Sequence, residues 1–247
     1  MGQVAHIWRH PIKSHGREEV TQTQLHAGHT MPGDRVWAVR HAASKIDGSG
    51  WAPCVNFSRG SKAPALMAIE AKLDEATRTV ALSHTDRPDV TIQPDENPAA
   101  FLEWVHPLMP NDRAASAQIL AAPDRGMTDT DFPSISLINL SSHRAVAQKI
   151  GRDISPKRWR GNFWIEGLAP WEEFEWIGRE MRIGSARVVL RDRIVRCMAT
   201  TASPSTGKRD VDTLAALDAG WGHQDFGVYA EVTQSGTVVQ GDRLVLI

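Results

Sequence analysis

Short strand-like runs recur along the whole chain, and their density restricts the folds open to it. They are rich in Val, Ile, Leu and Trp, and turn signals such as PGD, DGSG and QGD separate them. Few long helical patterns alternate with them, which disfavours a doubly wound parallel sheet and favours sheets that curl into a barrel or sandwich. We predict a mainly β protein of the α+β kind with a few short helices. The predicted strands are VAHIW, VWAVR, PALMAIEAKLD, TVALSH, DVTIQ, SISLINL, NFWIEG, MRIGSARVVLRDRIV, VYAEV and the two in TVVQGDRLVLI.

Capping residues and prolines predict where the helices lie. Asn and Ser stabilise helix starts, Pro suits the first position, and Gly commonly ends a helix. The predicted helices are AAFLEWV after Asn97 and Pro98, HRAVAQKI between Ser141 or Ser142 and Gly151, and WEEFEWI between Pro170 and Gly178, with a shorter apolar face in DTLAALDA.

Charge and cysteine usage narrow the class of protein. The formal net charge of -1 at pH 7 attracts neither nucleic acid nor an anionic membrane, so we expect neither partner. Charge or proline interrupts every apolar run before the roughly 18 residues of a spanning helix. The two cysteines form no disulfide framework and MGQVAHIWRHPIKSHG lacks an apolar signal core, which predicts a cytoplasmic protein. The polar stretch AAPDRGMTDTDFP is the predicted boundary between regions 1–124 and 125–247.

Three basic clusters offer anion-binding groups. In HPIKS the proline favours an extended chain, so Lys13 and Ser14 follow a strand end. In GDRVWAV, Arg35 opens a strand with a planar guanidinium suited to an oxyanion. In WRGN, Arg160 and Asn162 share one face if the chain is extended. Taken singly, each cation is more simply interpreted as an exposed side chain at a strand end.

One of the two cysteines follows a stretch dense in arginine, in IVRCMATTASPSTGKRD. On an unbroken strand Cys197 shares a face with Arg193 and Val195, while Arg196 points the other way. Nearby cations favour the thiolate, which attacks electrophiles or binds metals. A buried structural cysteine is the ordinary alternative. The hydroxyls that follow either contact an anion or serve the next turn: Thr200, Thr201 and Ser203.

Two other kinds of site are excluded. STGK resembles the end of a phosphate-binding loop, but the first glycine of that loop would fall on Ala202, and no strand-to-helix context surrounds it. His6 and His10 lack a shared helical face, and His26 and His29 lack an acidic partner, so a zinc site is not predicted.

Together these clusters resemble the MOSC family, named after the carboxy-terminal part of molybdenum cofactor sulfurases. HPIKS and GDRVWAV are similar to Y-P-[IV]-K-S and G-D-R-x-[FW], the signatures of the amino-terminal β-barrel region in longer members. WRGN resembles F-R-P-N, and VRCMATTASPSTGKRD resembles the cysteine segment P-R-C-x-x-T-T-V-D-P-x-T-G. FGVYAEV and GTVVQGDRLVLI resemble the closing strands. The resemblance covers the whole chain and implies a β-barrel-like MOSC fold over 125–247, preceded by a β-rich amino-terminal barrel region over 1–124.

The resemblance also implies a cofactor, the molybdenum cofactor in its molybdenum-molybdopterin form, and no pyridoxal phosphate. Cys197 would be the catalytic cysteine and the protein ligand to the metal, which suits the softness of a thiolate. Several cations around one phosphate likewise suit its charge. The residues implied to bind the cofactor are Lys13, Ser14, Arg35, Arg160, Asn162, Arg196 beside the cysteine, and Ser134 in DFPSISL.

The sequence departs from the family pattern at three places. Val195 stands where relatives often have a small residue or proline, Gly161 replaces the proline of F-R-P-N, and Ala202 and Ser203 replace Val-Asp. Two cysteines cannot hold an iron–sulfur cluster by themselves, so electrons should come from a separate electron-donor protein.

The resemblance implies an oxidoreductase in which the cofactor performs the reaction. We expect it to reduce small N-hydroxylated or other N-oxygenated compounds. One alternative is a protein that carries the molybdenum cofactor, or sulfur as a Cys197 persulfide, without turnover of its own. Another is a β-barrel protein whose cofactor site has decayed, but the joint retention of Lys13, Ser14, Arg35, Arg160 and Cys197 argues against decay.

Overall fold

The structure is a computed structural model that describes residues 2–247. Strands dominate it and helices are short, so the predicted mainly β class is confirmed. The strands are β1 (Gln3–Arg9), β2 (Glu18–Val20), β3 (Gln22–Leu25), β4 (Trp37–His41), β5 (Glu70–Asp74), β6 (Thr79–His84), β7 (Arg87–Ile92), β8 (Ser116–Ala121), β9 (Ile135–Asn139), β10 (Phe163–Glu166), β11 (Glu180–Ile183), β12 (Ala186–Val195), β13 (Asp225–Gln234), β14 (Gly236–Val239) and β15 (Leu244–Leu246). The helices are α1 (Pro98–Val105), α2 (Leu140–Ile150) and α3 (Thr213–Trp221).

A curled eight-stranded sheet forms the centre, in the order β15-β11-β12-β13-β9-β10-β1-β2. Its strands pair antiparallel except β9 and β10, which are parallel and are joined through α2. Smaller sheets pair β3 with β14, β4 with β8, and β5 with β6 and β7. Strand β1 lies between β2 and β10, so the first part of the chain contributes to the same sheet as the carboxy-terminal strands. The division near residue 125 stays a prediction.

Among residues 2–247, four apolar clusters hold these layers together, the smallest around Phe57 and Met127. Leu137 and Ile138 are adjacent on β9 and belong to different clusters, because successive strand residues face opposite sides of a sheet. Leu137 packs with residues of β1, β11, β12 and β13, whereas Ile138 packs with Leu217 of α3. The third cluster lies around α1 and the smaller sheets, with Phe101 at its centre. No helix within residues 2–247 has the length and apolar content needed to cross a bilayer.

The strands that differ from prediction have polar or proline-containing sequences. PALMA, predicted as strand, forms a 3-10 turn at Pro64–Ala68, and β5 begins only at Glu70. Pro64 takes the first position of that turn, where its missing N–H costs nothing. Strands β2 and β3 escaped prediction because EEV and QTQL carry too few apolar residues to signal a strand, and β8 because SAQILA does not alternate apolar and polar residues throughout.

The residues that cap the helices were predicted more accurately than the helix lengths. Asn97 caps α1, accepting a hydrogen bond from Ala100 N at 3.5 Å, and Gly151 ends α2 in the left-handed conformation. Helix α2 begins before the predicted serines, because Asn139 accepts a hydrogen bond from Ser141 N at 2.8 Å. The prediction of a helix in WEEFEWI was wrong: one 3-10 turn, Glu172–Trp176, forms there, and the chain is left-handed just before it, at Trp171.

Candidate functional site

One cleft collects residues that follow or precede strands of both halves of the chain. Lys13 and Ser14 come soon after β1, Arg35 precedes β4, Arg160 precedes β10, and Cys197 follows β12. All five side chains line this cleft. The structure therefore brings together the three basic clusters and the cysteine segment, which are far apart in sequence.

The backbone is strained at three of these positions. Ser14, Arg35 and Arg160 have positive φ angles of 64°, 53° and 54°. Among residues 2–247, the only other non-glycine residues in this region are Arg78 and Trp171. Such conformations are costly for L residues and cluster at functional sites, because the surrounding structure must hold them. Three of the five such residues described between positions 2 and 247 lie in this one cleft.

Lys13 is buried, with 4% of its surface exposed, so the alternative of a solvated strand-end lysine is wrong. Its Nζ donates to Met127 O at 2.7 Å and to Asp129 Oδ1 at 2.5 Å. Loss of solvent opposes the ionisation of Asp129, but Lys13, Arg35 and Arg160 outweigh it and hold the pKa of Asp129 below its usual range. The ammonium group is thus fixed at the cleft wall with one counter-charge.

The buried carboxylate of Asp34 holds the Arg35 side chain in place. Its guanidinium contacts Asp34, and its Nη2 donates to Arg160 O at 3.1 Å. Asp34 also accepts from the backbone N of His10 at 2.7 Å. Burial would raise the pKa of Asp34, but Arg35 and His10 together hold it well below the usual range. This arrangement fixes the guanidinium at the cleft and links the HPIKS, GDRVWAV and WRGN segments.

Arg160 differs from the other cations of the cleft because the terminal nitrogens of its guanidinium make no hydrogen bond to the described part of the chain. Both terminal guanidinium nitrogens are shielded from solvent and have no hydrogen-bond partner among residues 2–247. Burial, followed by repulsion from Arg35 and Arg17, lowers the pKa of Arg160 to about 9. A buried guanidinium without partners is costly, and an anion in the cleft would remove that cost.

The cleft as a whole has more positive than negative charge. Its only acidic lining residue is Asp129, which is paired with Lys13. The cations that line it are Lys13, Arg35, Arg59, Arg158, Arg160 and Arg196. A dianionic phosphate needs several charge-assisted partners, so the part of the cleft lined by Lys13, Arg35 and Arg160 fits the phosphate of the implied cofactor.

Cys197 is exposed in the cleft, so the alternative of a buried structural cysteine is wrong. Strand β12 has irregular pairing between Leu190 and Val195 and ends at Val195. The predicted shared strand face with Arg193 and Val195 therefore does not exist, because the strand is bulged and Cys197 lies beyond it. The thiol instead stands at the start of a 3-10 turn, Met198–Thr201.

Arg196 stabilises the chain that carries the cysteine. It donates from Nη1 to Trp159 O and from Nε to Phe226 O, both at 2.8 Å. Burial lowers its pKa to about 10. Because these carbonyls occupy the guanidinium, Arg196 fixes the chain next to Cys197 and adds positive charge to the cleft wall.

The hydroxyls after Cys197 serve the turn. Thr200 Oγ1 donates to Cys197 O at 3.0 Å, and Thr201 Oγ1 donates to Met198 O at 2.8 Å. The Ser203 hydroxyl lies 2.9 Å from that of Ser205. The sequence left open whether these hydroxyls contact an anion or serve the next turn, and the contacts match the second interpretation.

Asn162 and Ser134 lie beside the cleft and not in it. They line a small adjoining recess with Arg35 and Tyr229. Asn162 Oδ1 accepts from Ser136 N at 3.1 Å and from Ser136 Oγ at 2.9 Å, and its Nδ2 donates to Trp8 O at 3.2 Å. The shared face predicted for Arg160 and Asn162 is wrong, because Arg160 is left-handed and not extended. Ser134 bonds to the Thr130 hydroxyl at 2.7 Å, and cofactor contacts by either residue stay predictions.

Several cleft residues with charged or reactive side chains were missed from the sequence, among them Cys54, Arg59, Asp129, Arg158 and Tyr229. Tyr229 is the chain's single tyrosine, and burial raises its pKa to about 12. Its place in FGVYAEV could have drawn attention to it. Cys54 and Arg59 gave no local signal, since only the tertiary fold brings their loop to the cleft.

Comparisons with known proteins agree with this geometry. The MOSC domain matches residues 125–245, and the MOSC N-terminal beta barrel domain matches residues 1–116. The chain belongs to the MOSC family. A molybdenum cofactor sulfurase from Anopheles gambiae is 28% identical over 118 residues, which are 43% of this chain but only 15% of that protein. This MOSC protein also shares its fold with the YUAD protein from Bacillus subtilis, at a TM-score of 0.51 and 13% identity, over 100% of this chain and 96% of that one.

This chain has Gly161 where the family pattern F-R-P-N has proline, and the packing around Gly161 leaves no space for a side chain. A Cβ added at Gly161 would lie 2.1 Å from Ile138 Cγ1, and one at Gly227 would lie 2.4 Å from Ile138 Cδ1. Ile138 therefore occupies the space that a side chain at either glycine would need.

Substituting Gly161→Ala should lower the free energy of unfolding by about 1–3 kcal/mol, because it overpacks the site. Ile138→Ala in the same chain should reduce that cost, and a double-mutant cycle in urea measures the coupling. Gly50→Ala is the matched control, since no atom lies within 4 Å of its added Cβ. Equal costs of Gly161→Ala with and without Ile138 would contradict the steric explanation.

Acid should destabilise the fold through three buried histidines. Burial is the largest cause that lowers the pKa of His10 to about 3 and the pKa values of His15 and His143 to about 4. Below pH 6.5 the unfolded chain binds protons that the folded chain does not. The free energy of unfolding should therefore fall as pH decreases toward 4, by about 1.4 kcal/mol per pH unit for each histidine.

Urea unfolding at pH 7, 6 and 5 measures this slope. His143→Gln should reduce the slope by about a third, since two of three groups remain. His29→Gln, at an exposed position, should leave it unchanged. The histidine explanation would be wrong if the two variants changed the slope equally.

Proposed function

We propose that this protein is an oxidoreductase that binds the molybdenum cofactor through Cys197 and reduces small N-hydroxylated or other N-oxygenated compounds. A separate protein would donate the electrons. The observation that carries the proposal is the buried Arg160 guanidinium, whose terminal nitrogens lack hydrogen-bond partners among residues 2–247, in the same cleft as an exposed cysteine. A phosphate-bearing group with a soft metal at its other end matches both features.

The chain's own residues would bind and orient the cofactor. Lys13, Arg35 and Arg160 would bind the phosphate, with Asp34 and Asp129 fixing the first two cations. Cys197 would provide a thiolate to the metal from a turn fixed by Arg196. When bound, the cofactor would supply two-electron removal of an oxygen atom.

Tyr229 is the group in this cleft best suited to hold a proton. Its raised pKa keeps the phenol protonated at neutral pH, so its Oη can donate a hydrogen bond to a bound oxygen or nitrogen. Asp129, whose pKa is lowered, stays ionised. The two groups therefore offer a donor and an acceptor in one cleft.

Metal content and turnover test the proposal together. The protein is produced in a host that makes the cofactor, molybdenum is measured by mass spectrometry, and reduction of benzamidoxime is driven by reduced viologen. Lys13→Met should lower the molybdenum content, and the exposed Lys62→Met is the matched control. Molybdenum near stoichiometry with activity would support the enzyme.

Molybdenum without activity on a broad panel of N-oxygenated compounds would instead favour a cofactor carrier. That second candidate draws support from the match to a protein named molybdenum cofactor sulfurase. Absence of molybdenum from the wild-type protein would contradict both.

A further inference from the structure

A loop of the amino-terminal half, residues 54–61, forms the cleft wall beside Cys197. A Cβ added at Gly60 would lie 3.5 Å from Ala199 Cβ, so the loop packs on the turn that follows the cysteine. Arg209 joins the two: its Nη2 donates to Ser61 O at 2.9 Å, and its Nη1 donates to Thr201 Oγ1 at 2.5 Å. The loop is therefore fixed at the metal end of the cleft.

Arg59 of this loop lines the cleft without a carboxylate partner. Its Nη1 donates to Cys54 Sγ at 3.3 Å, and no acidic oxygen lies within 4 Å of its guanidinium among residues 2–247. Arg35 and Arg158, by contrast, pair with Asp34 and Asp210. The cysteine contact orients one edge of the guanidinium and leaves the remaining N–H groups for a ligand.

An exposed apolar side chain also lines this cleft. Val195, two residues before Cys197, is among the lining residues and is 73% exposed. Val55 and Met198, which follow the two lining cysteines in sequence, are 57% and 42% exposed. Exposed apolar groups at a cleft commonly contact a ligand. Arg59 thus shares its cleft with an exposed thiol and an exposed apolar side chain.

We propose that Arg59 determines substrate specificity by binding a carboxylate of the substrate, whose apolar body contacts Val195. The inference rests on the proposed function and narrows it to N-oxygenated compounds that carry a carboxylate. The cofactor phosphate has its own partners in Lys13, Arg35 and Arg160, which belong to other segments. Arg59 stands on the loop that forms the cleft wall beside Cys197, so it can contact the non-reacting part of a substrate bound there.

The test compares 4-carboxybenzamidoxime with benzamidoxime, which differ only in the carboxylate. In Arg59→Gln, kcat/KM for the carboxylate compound should fall at least about 10-fold, mostly through KM, and that for benzamidoxime less than about 2-fold. Arg59→Lys should recover part of the loss, because it keeps the charge. Arg113→Gln, an exposed arginine outside the cleft, is the control. Molybdenum content should be the same in all four proteins.

A binding measurement needs no turnover. Calorimetry of 4-carboxybenzamide and benzamide should show a preference of about 10-fold or more for the carboxylate compound, lost in Arg59→Gln. The proposal is overturned if the wild-type protein shows no such preference, if Arg59→Gln weakens the binding of both compounds equally, or if Arg59→Gln loses its molybdenum. Should the wild-type protein contain no molybdenum, the proposed function fails, and the calorimetry still decides the role of Arg59.

Discussion

Cys197→Ser should leave less than about 1% of the benzamidoxime reductase activity. Residues that only orient metal ligands already cost about 10–100-fold when removed, so loss of a direct thiolate ligand should cost more. Fold and phosphate binding should survive, because the thiol is exposed and Arg196 still anchors the turn. The measurements are viologen-driven turnover, molybdenum content and pterin content, each set against the wild-type protein.

Cys54→Ser is the matched comparison for metal content, since both cysteines line the cleft. It should keep its molybdenum, because no resemblance or contact makes Cys54 a ligand. Loss of metal in Cys54→Ser together with its retention in Cys197→Ser would reverse the assignment of the two thiols.

Arg160→Met should have opposite effects on cofactor binding and on stability. Molybdenum and pterin contents should fall at least about 10-fold, because the phosphate loses a charge-assisted partner. The cofactor-free protein should become more stable by about 1–4 kcal/mol, since replacing a buried unpaired charge by an apolar side chain removes its desolvation cost. Methionine keeps the left-handed backbone position occupied by a side chain, so the difference reports the charge.

Urea unfolding of cofactor-free protein and metal analysis of loaded protein separate the two effects. Arg160→Lys should retain more cofactor than Arg160→Met, because it keeps a cation. A destabilised Arg160→Met would show that the guanidinium has stabilising contacts in the folded protein.

The residues that could be predicted carry their signals locally or in a motif. Asn97 and Gly151 mark helix ends through their own backbone preferences. Alternating apolar residues revealed strands such as β6. Lys13, Arg35, Arg160 and Cys197 were found through the family's motifs, and the fold gathers them in one cleft.

What could not be predicted depends on tertiary contacts. Lys13 is buried because Asp129, 116 positions away, accepts its hydrogen bond. Arg59 reaches the cleft because Arg209 joins its loop to the cysteine turn. The face shared by Arg160 and Asn162 was mispredicted because a strained turn is not visible as a residue pattern. A sequence shows which groups are present but not which counter-charges surround them.

The pairing of β1 with the distant strand β10 sets the order of events during synthesis. Gln3 in β1 pairs with Glu166 in β10, 163 positions later, and β3 pairs with β14 later still. The pairing of β1 with β10 and of β3 with β14 can therefore form only after most of the chain has left the ribosome, because each strand needs a partner that is synthesised much later. An apolar strand that waits is prone to pair with other chains. We expect the nascent protein to need chaperone protection until β10 emerges, and chains truncated before that point to aggregate.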